Sequence, residues 1–175
     1  MIDPASSSKD SPGKSELSKK QASYTVVSRW LVTPQNHLCL MHVRRFQKEM
    51  PEIVPEIRGE MKAAAGYCRF VGMEHTTQSI YLFQHCQREG LPMKAFTTGG
   101  KDKVARAFDA TTRMEQGKLL LPDRPSQWLQ EYEDEVFVWT GEKEQTDDQV
   151  DVTSYAAIHM TNSVTIKNAG LPSVL

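Results

Sequence analysis

The period of hydrophobic and polar positions changes several times along this chain, and each change marks an element. Residues 24 to 32 alternate, with Tyr24, Val26, Ser28 and Trp30 toward one side and Thr25, Val27 and Leu31 toward the other. Thr33-Pro34-Gln35-Asn36 is a turn, and residues 38 to 46 alternate again, with Leu38, Leu40 and His42 opposite Cys39, Met41 and Val43. Two such runs around a short turn predict an antiparallel hairpin. The period then lengthens. Ile53, Val54, Ile57 and Met61 fall at helical spacing and predict a helix over 51–65 that Gly66 stops. A short apolar strand over 69–74 ends in Glu74. A helix over 76–89 follows, with Ile80, Phe83 and Cys86 inward and Gly90 at its C-terminus.

The remaining pattern predicts a strand over 92–96, a helix over 102–116, a buried strand at 119–121, a helix over 125–138 and a last helix over 147–162. Met1-Ile2-Asp3-Pro4 reads as a strand entered midway, as in a domain cut from a longer protein. The order is three strands, then α-β-α-β-α-β-α-α. It predicts an α/β protein whose mixed sheet carries helices on its faces. Such an order suits a ribonuclease-H-like (RNase H-like) fold, in which acids from strand ends and one helix converge on metal ions.

Composition narrows the picture. The chain has 175 residues, 39% hydrophobic and 25% charged, enough for one domain with a real core. That domain is expected over 1–162, with a Ser- and Lys-rich flexible loop over 5–23 and a loose tail over 163–175. The formal net charge of −1 gives no overall basic footprint, so a polyanionic partner would have to be met by a local patch. Cys39, Cys68 and Cys86 lack metal or disulfide spacing and read as reduced thiols of a cytosolic protein. Neither a signal peptide nor a membrane-spanning stretch is evident in the sequence.

The candidate chemistry lies in acids. Thr146-Asp147-Asp148-Gln149-Val150-Asp151 begins the last helix, where Thr146 and Gln149 match a capping box. Asp148 and Asp151 then share a face, and like charges at that spacing weaken a helix unless something offsets them. Asp147 on its own reads equally well as a charge serving the helix dipole. Asp3 lies on the first strand, and Glu74 ends a later one. Each has a plain alternative: a turn residue before Pro4 for Asp3, a helix-start charge for Glu74. Together they sit where strand ends form sites. Carboxylates without His or Cys suit Mg²⁺ or Mn²⁺. Two such ions, roughly 4 Å apart, would activate water and stabilise the leaving oxygen in phosphodiester cleavage. Lys101, Lys103, Arg106, Arg113 and Lys118 cluster around one helix, and the first four are either a solvated face or a ridge contacting DNA phosphates. Arg44, Arg45 and Lys48 form a smaller basic group at a strand end, and Trp128 and Trp139 read as core or helix contacts.

These segments, in this order, resemble the nuclease domain of the large terminase subunit of tailed bacteriophages. Met1-Ile2-Asp3-Pro4-Ala5 is similar to its first acid strand, and Val71-Gly72-Met73-Glu74 to its second. Lys101-Asp102-Lys103-Val104-Ala105-Arg106-Ala107 resembles its lysine-to-arginine helix, and Gln116-Gly117-Lys118-Leu119-Leu120-Leu121-Pro122 its glycine-strand-proline segment. Residues 146–151 resemble its terminal D-D-x-x-D motif. His75, Ser23 and Val152 depart from that pattern, at positions where relatives often carry an acid, an Asp and an Ala.

The resemblance implies a Mg²⁺- or Mn²⁺-dependent endonuclease that cuts concatemeric viral DNA at the start and end of packaging. Asp3, Glu74 and Asp148 would be metal ligands, and Asp151 a further ligand or a group supporting one. The implied partners are double-stranded DNA, an ATPase domain absent from this chain, the small terminase subunit and the portal, with no membrane. The implied place is the host cytoplasm, at the procapsid portal. Two rivals stand beside it: another RNase H-like nuclease such as a junction resolvase, and a portal- or DNA-docking module that cuts poorly alone.

Overall fold

A computed structural model of the chain describes residues 1–5, 24–142 and 145–160. The tail expected over 163–175, and residues 6–23 of the expected 5–23 loop, lie outside the described residues. The chain folds as an α/β protein. Its elements run β1 (Ile2–Asp3), β2 (Thr25–Val32), β3 (Leu38–Phe46), α1 (Met50–Ala63), β4 (Val71–Glu74), α2 (Ile80–Arg88), β5 (Met93–Phe96), α3 (Lys103–Glu115), β6 (Leu119–Leu120), α4 (Gln127–Val136) and α5 (Asp148–His159). This is the order that the hydrophobic periods predict.

The six strands form one mixed sheet in the order β5-β4-β1-β2-β3-β6. β1, β2 and β3 are antiparallel, whereas β4 joins β1, β5 joins β4 and β6 joins β3 in parallel. The β2–β3 turn closes through Asn36 N–H donating to Thr33 O at 2.9 Å, with Asn36 at φ 65°, where its short polar side chain is tolerated.

Each face of the sheet carries its own core. Ile2, Val27, Val71 and Met73 pack with Ile53, Val54 and Ile57 of α1 and Leu82, Phe83 and Cys86 of α2. Met1, Val26, Trp30, Leu40 and Val43 pack on the other face with Ala110 of α3, Leu129 and Tyr132 of α4, and Val152 and Tyr155 of α5. Helix α5 is buried continuously from Asp148 to Ala157, packed by the sheet, α3 and α4. Its Thr153 and Ser154 hydroxyls return to the carbonyls of Gln149 and Val150 at 2.7 and 2.8 Å, which keeps polar atoms satisfied inside the core. Alanines 107 and 110 on α3 and 156 and 157 on α5 are all buried, and their small side chains let the helix backbones approach closely.

Three sequence expectations change. The alternation of β3 breaks after Leu40. Trp30 pairs with Leu40 and Arg29 with His42, so Met41 is an extra, bulged residue. Leu38, Leu40, Val43 and Arg45 therefore share the α5 side, and His42 does not join Leu38 and Leu40. Helix α2 begins at Ile80, because Thr76 and Ser79 form a hydrogen-bonded turn before it, with Thr76 N–H donating to Ser79 Oγ at 2.9 Å. Within α2, Leu82 rather than Ile80 is fully buried beside Phe83 and Cys86.

Candidate active site

β1 and β4 are parallel neighbours with Ile2 beside Met73. Ile2 and Met73 belong to the α1–α2 core. Successive strand residues point to opposite faces, so Asp3 and Glu74 emerge side by side on the α5 side. Helix α5 brings Asp148, Asp151 and Tyr155, at successive spacings of three and four, along one of its faces. Two strand ends and one helix start thus bring Asp3, Glu74, Asp148 and Asp151 together, and Asp3 senses the charges of the other three.

The carboxylates differ in how they are held. Asp151 is buried and saturated with cations: Arg106 Nη2 lies 2.8 Å from Oδ1 and Lys103 Nζ 2.8 Å from Oδ2. Lys103 also reaches Asp147 Oδ2 at 2.7 Å. Burial works against the charge on Lys103 and Arg106, but hydrogen bonds to these acids outweigh it and hold both above their ordinary range. Glu74 is held by neutral donors. The Thr98 hydroxyl donates to Oε1 and the Tyr155 hydroxyl to Oε2, both at 2.7 Å. Asp148 accepts the Tyr24 backbone N–H at 3.1 Å, and Arg45 Nη2 stands off at 3.8 Å. Burial raises the pKa of Asp148, the Tyr24 N–H lowers it, and Glu135 raises it further. Asp3 is half-buried, and its proton affinity is pushed well above that of an ordinary carboxyl, first by burial and then by Asp151 and Asp148, with Lys103 opposing.

Comparison with models of protein families, with curated proteins and with solved structures returned no match for this chain.

The donor chemistry of the site fits a hard divalent cation. Asp3, Glu74 and Asp148 offer oxygen alone, and two of the three carry raised proton affinities that a nearby 2+ charge would reverse. Among the described residues, no three acidic, histidine or cysteine side chains stand close enough to enclose an ion in the conformations seen. Asp151 has both oxygens committed to Lys103 and Arg106, which favours the supporting role over the ligand role.

Two sequence expectations about the surroundings are corrected. Thr146 does not cap α5. The residue before the helix is Asp147, which makes no side-chain cap hydrogen bond. Gln149 turns instead to α4, where Glu135 Oε1 accepts its backbone N–H at 2.6 Å and Oε2 its side-chain amide at 2.9 Å. The basic residues of α3 do not form one solvent-facing ridge. Lys103 and Arg106 point at the acids, and Arg113 is buried with its Nη1 lacking a hydrogen-bond partner among the described residues. Lys101 is exposed and pairs with Asp109 at 3.4 Å.

Glu135, Tyr155, Thr98 and the Tyr24 backbone were not singled out as site groups from the sequence. Only Glu135 carries a local signal. It follows Leu129 and Tyr132 at three-residue spacing on the buried stripe of α4, where an acid demands a partner.

Proposed function

We propose that this chain is an RNase H-like, divalent-metal-dependent DNA endonuclease of the large-terminase nuclease type, which cuts concatemeric viral DNA when packaging starts and ends. The observation that carries the reading is the convergence of Asp3, Glu74 and Asp148 from β1, β4 and α5, with Asp3 crowded by like charge. An antiparallel β1–β3 unit continued by parallel β4 and β5 supports the fold assignment. The motif order from Asp3 to Asp151 supports the family.

Asp3, Glu74 and Asp148 would hold the Mg²⁺ or Mn²⁺. When bound, the metal supplies Lewis-acid stabilisation of the phosphodiester and a water of lowered pKa. The protein's part is to aim the ligands. Thr98 and Tyr155 fix Glu74, and the Tyr24 N–H fixes Asp148. Asp151 anchors Lys103 and Arg106 at the edge of the acids, where their charge meets a scissile phosphate. These cations are already engaged with carboxylates and the net charge is −1, so grip on DNA comes largely from partners: the ATPase domain, the small subunit and the portal.

The test is plasmid cleavage in Mn²⁺ and in Mg²⁺. Cutting by the wild type that is lost in Asp3→Ala, Glu74→Ala and Asp148→Ala is the expected result. A wild type inert with both metals would move the chain to the docking-module class. A preference for four-way junctions over linear duplex would make it a resolvase.

A further inference from the structure

We propose that Glu135 is a positioning residue for the acidic site: it holds Arg45 away from Asp148, so that the Asp148 carboxylate stays open to a divalent cation. The inference rests on the metal-ligand reading above and adds a residue outside the acids that the motifs supply.

Glu135 stands on the last turn of α4 and is 9% exposed. Two of its contacts tie down the start of α5, through the backbone and the side chain of Gln149. The Gln149 N–H is one of the helix-start donors that lack an intrahelical acceptor, so a buried carboxylate there is doubly stabilising. The third contact is with Arg45, whose Nη1 lies 3.3 Å from Glu135 Oε2. The other nitrogen of the same guanidinium, Nη2, lies 3.8 Å from Asp148 Oδ2. Arg45 is therefore shared unequally between two carboxylates, and Glu135 has the nearer claim.

The plane of Arg45 is set from a third side. Its guanidinium carbon sits 3.9 Å from the centre of the Tyr24 ring, and the Tyr24 backbone N–H donates to the same Asp148 Oδ2. Resting on that ring, the guanidinium needs to slide only about 1 Å to reach charge-assisted hydrogen-bond distance from Asp148. Neutralising Glu135 removes the attraction that opposes this slide. Arg45 then closes on Oδ2 and competes with the cation for it. The register of β3 puts Arg45 opposite Val26, on the α5 side of the sheet.

The experiment measures Mn²⁺ affinity of the full 175-residue chain by calorimetric titration without DNA, with circular dichroism as the check on folding. Glu135→Gln is isosteric and should bind Mn²⁺ about tenfold more weakly, the scale at which groups behind a ligand act. Adding Arg45→Gln to that variant should restore the affinity. Unchanged affinity in Glu135→Gln, or a loss that the second substitution does not recover, overturns the proposal. Should Glu135→Gln fail to fold, Glu135→Asp, whose shorter side chain draws the carboxylate back from Arg45, takes its place: weaker Mn²⁺ binding that Arg45→Gln recovers supports the proposal, and unchanged binding, or a loss that is not recovered, overturns it. A wild type that binds no Mn²⁺, or binds it equally well as Asp148→Asn, overturns the metal reading and this inference with it.

Discussion

Asparagine at position 151 and asparagine at position 3 should change stability in opposite directions. The Asp151 side chain is 9% exposed and takes Lys103 and Arg106 at 2.8 Å each. Asn keeps the shape and loses the charge, leaving the Arg106 guanidinium, 13% exposed, against a carboxamide. Lys103 is less affected, since it keeps Asp147 at 2.7 Å. A hydrogen bond to a charged group contributes about 1.5–3 kcal/mol, and losing one member of a buried pair costs about 3–5 kcal/mol. With Lys103 discounted, the expected loss in Asp151→Asn is ~3 kcal/mol, or about 6–12 °C in Tm for a domain of this size. Asp3 is the reverse case. Burial, then Asp151 and Asp148, raise its folded pKa above the unfolded value, so folding takes up protons there. Its ionised form therefore costs stability once pH rises past the ordinary carboxyl value of about 3.9. Asp3→Asn removes that cost. It should melt above wild type at neutral pH in EDTA, and the gap should close as pH falls toward the ordinary carboxyl range. Urea unfolding of the three proteins across that range is the assay. A loss below about 0.5 kcal/mol in Asp151→Asn, the size of an ordinary surface change, would refute the reasoning, as would an Asp3→Asn less stable than wild type at neutral pH.

Other outcomes follow from the same geometry. Tyr155→Phe removes one of the two hydroxyls holding Glu74, so Mn²⁺ affinity should fall about tenfold in titration while the fold is kept. Tyr132→Phe leaves the buried Thr153 Oγ without its 2.9 Å partner and should cost about 1 kcal/mol in urea unfolding. Lys101→Ala, on an exposed side chain, should reduce the salt slope of DNA binding by about one if it meets a phosphate. Arg113→Ala should leave that slope unchanged and alter stability instead, because Arg113 is buried.

The element order was legible because the apolar periods are strong. Ile53, Val54 and Ile57 define a helix face without help from the rest of the chain, and Val26, Ser28 and Trp30 define a strand face. The placement of the four acids on two strands and one helix start was legible for a related reason: these are local features of the pattern. What escaped is what tertiary contact decides. A capping box at Thr146 and Gln149 is a local pattern, and it lost to Glu135, whose charge outcompetes a threonine hydroxyl for the same helix start. Lys103, Arg106 and Arg113 occupy the same side of α3 as Ala107 and Ala110, so the stripe that looked solvated is the one facing α5. The small alanines between them gave no strong apolar signal by which to tell inside from outside. The bulge left no mark in composition, because Met41 fits an alternating strand as well as an interrupted one.

The extra residue in β3 also separates two properties that a strand normally locks together: which face a side chain takes and how many residues precede it. Pairing on either side of Met41 already has the phase of a regular ladder, Leu40 opposite Trp30 and His42 opposite Arg29. Removing Met41 would therefore leave every downstream assignment in place, with Arg45 still toward Glu135 and Arg44 still toward Glu56, 2.9 Å away. It would take away only the local bend and added twist that a bulge brings. Inserting a second residue would do the opposite, exchanging Arg44 and Arg45 between the two faces. The strand can thus shorten here without reassigning its charges, but it cannot lengthen by one.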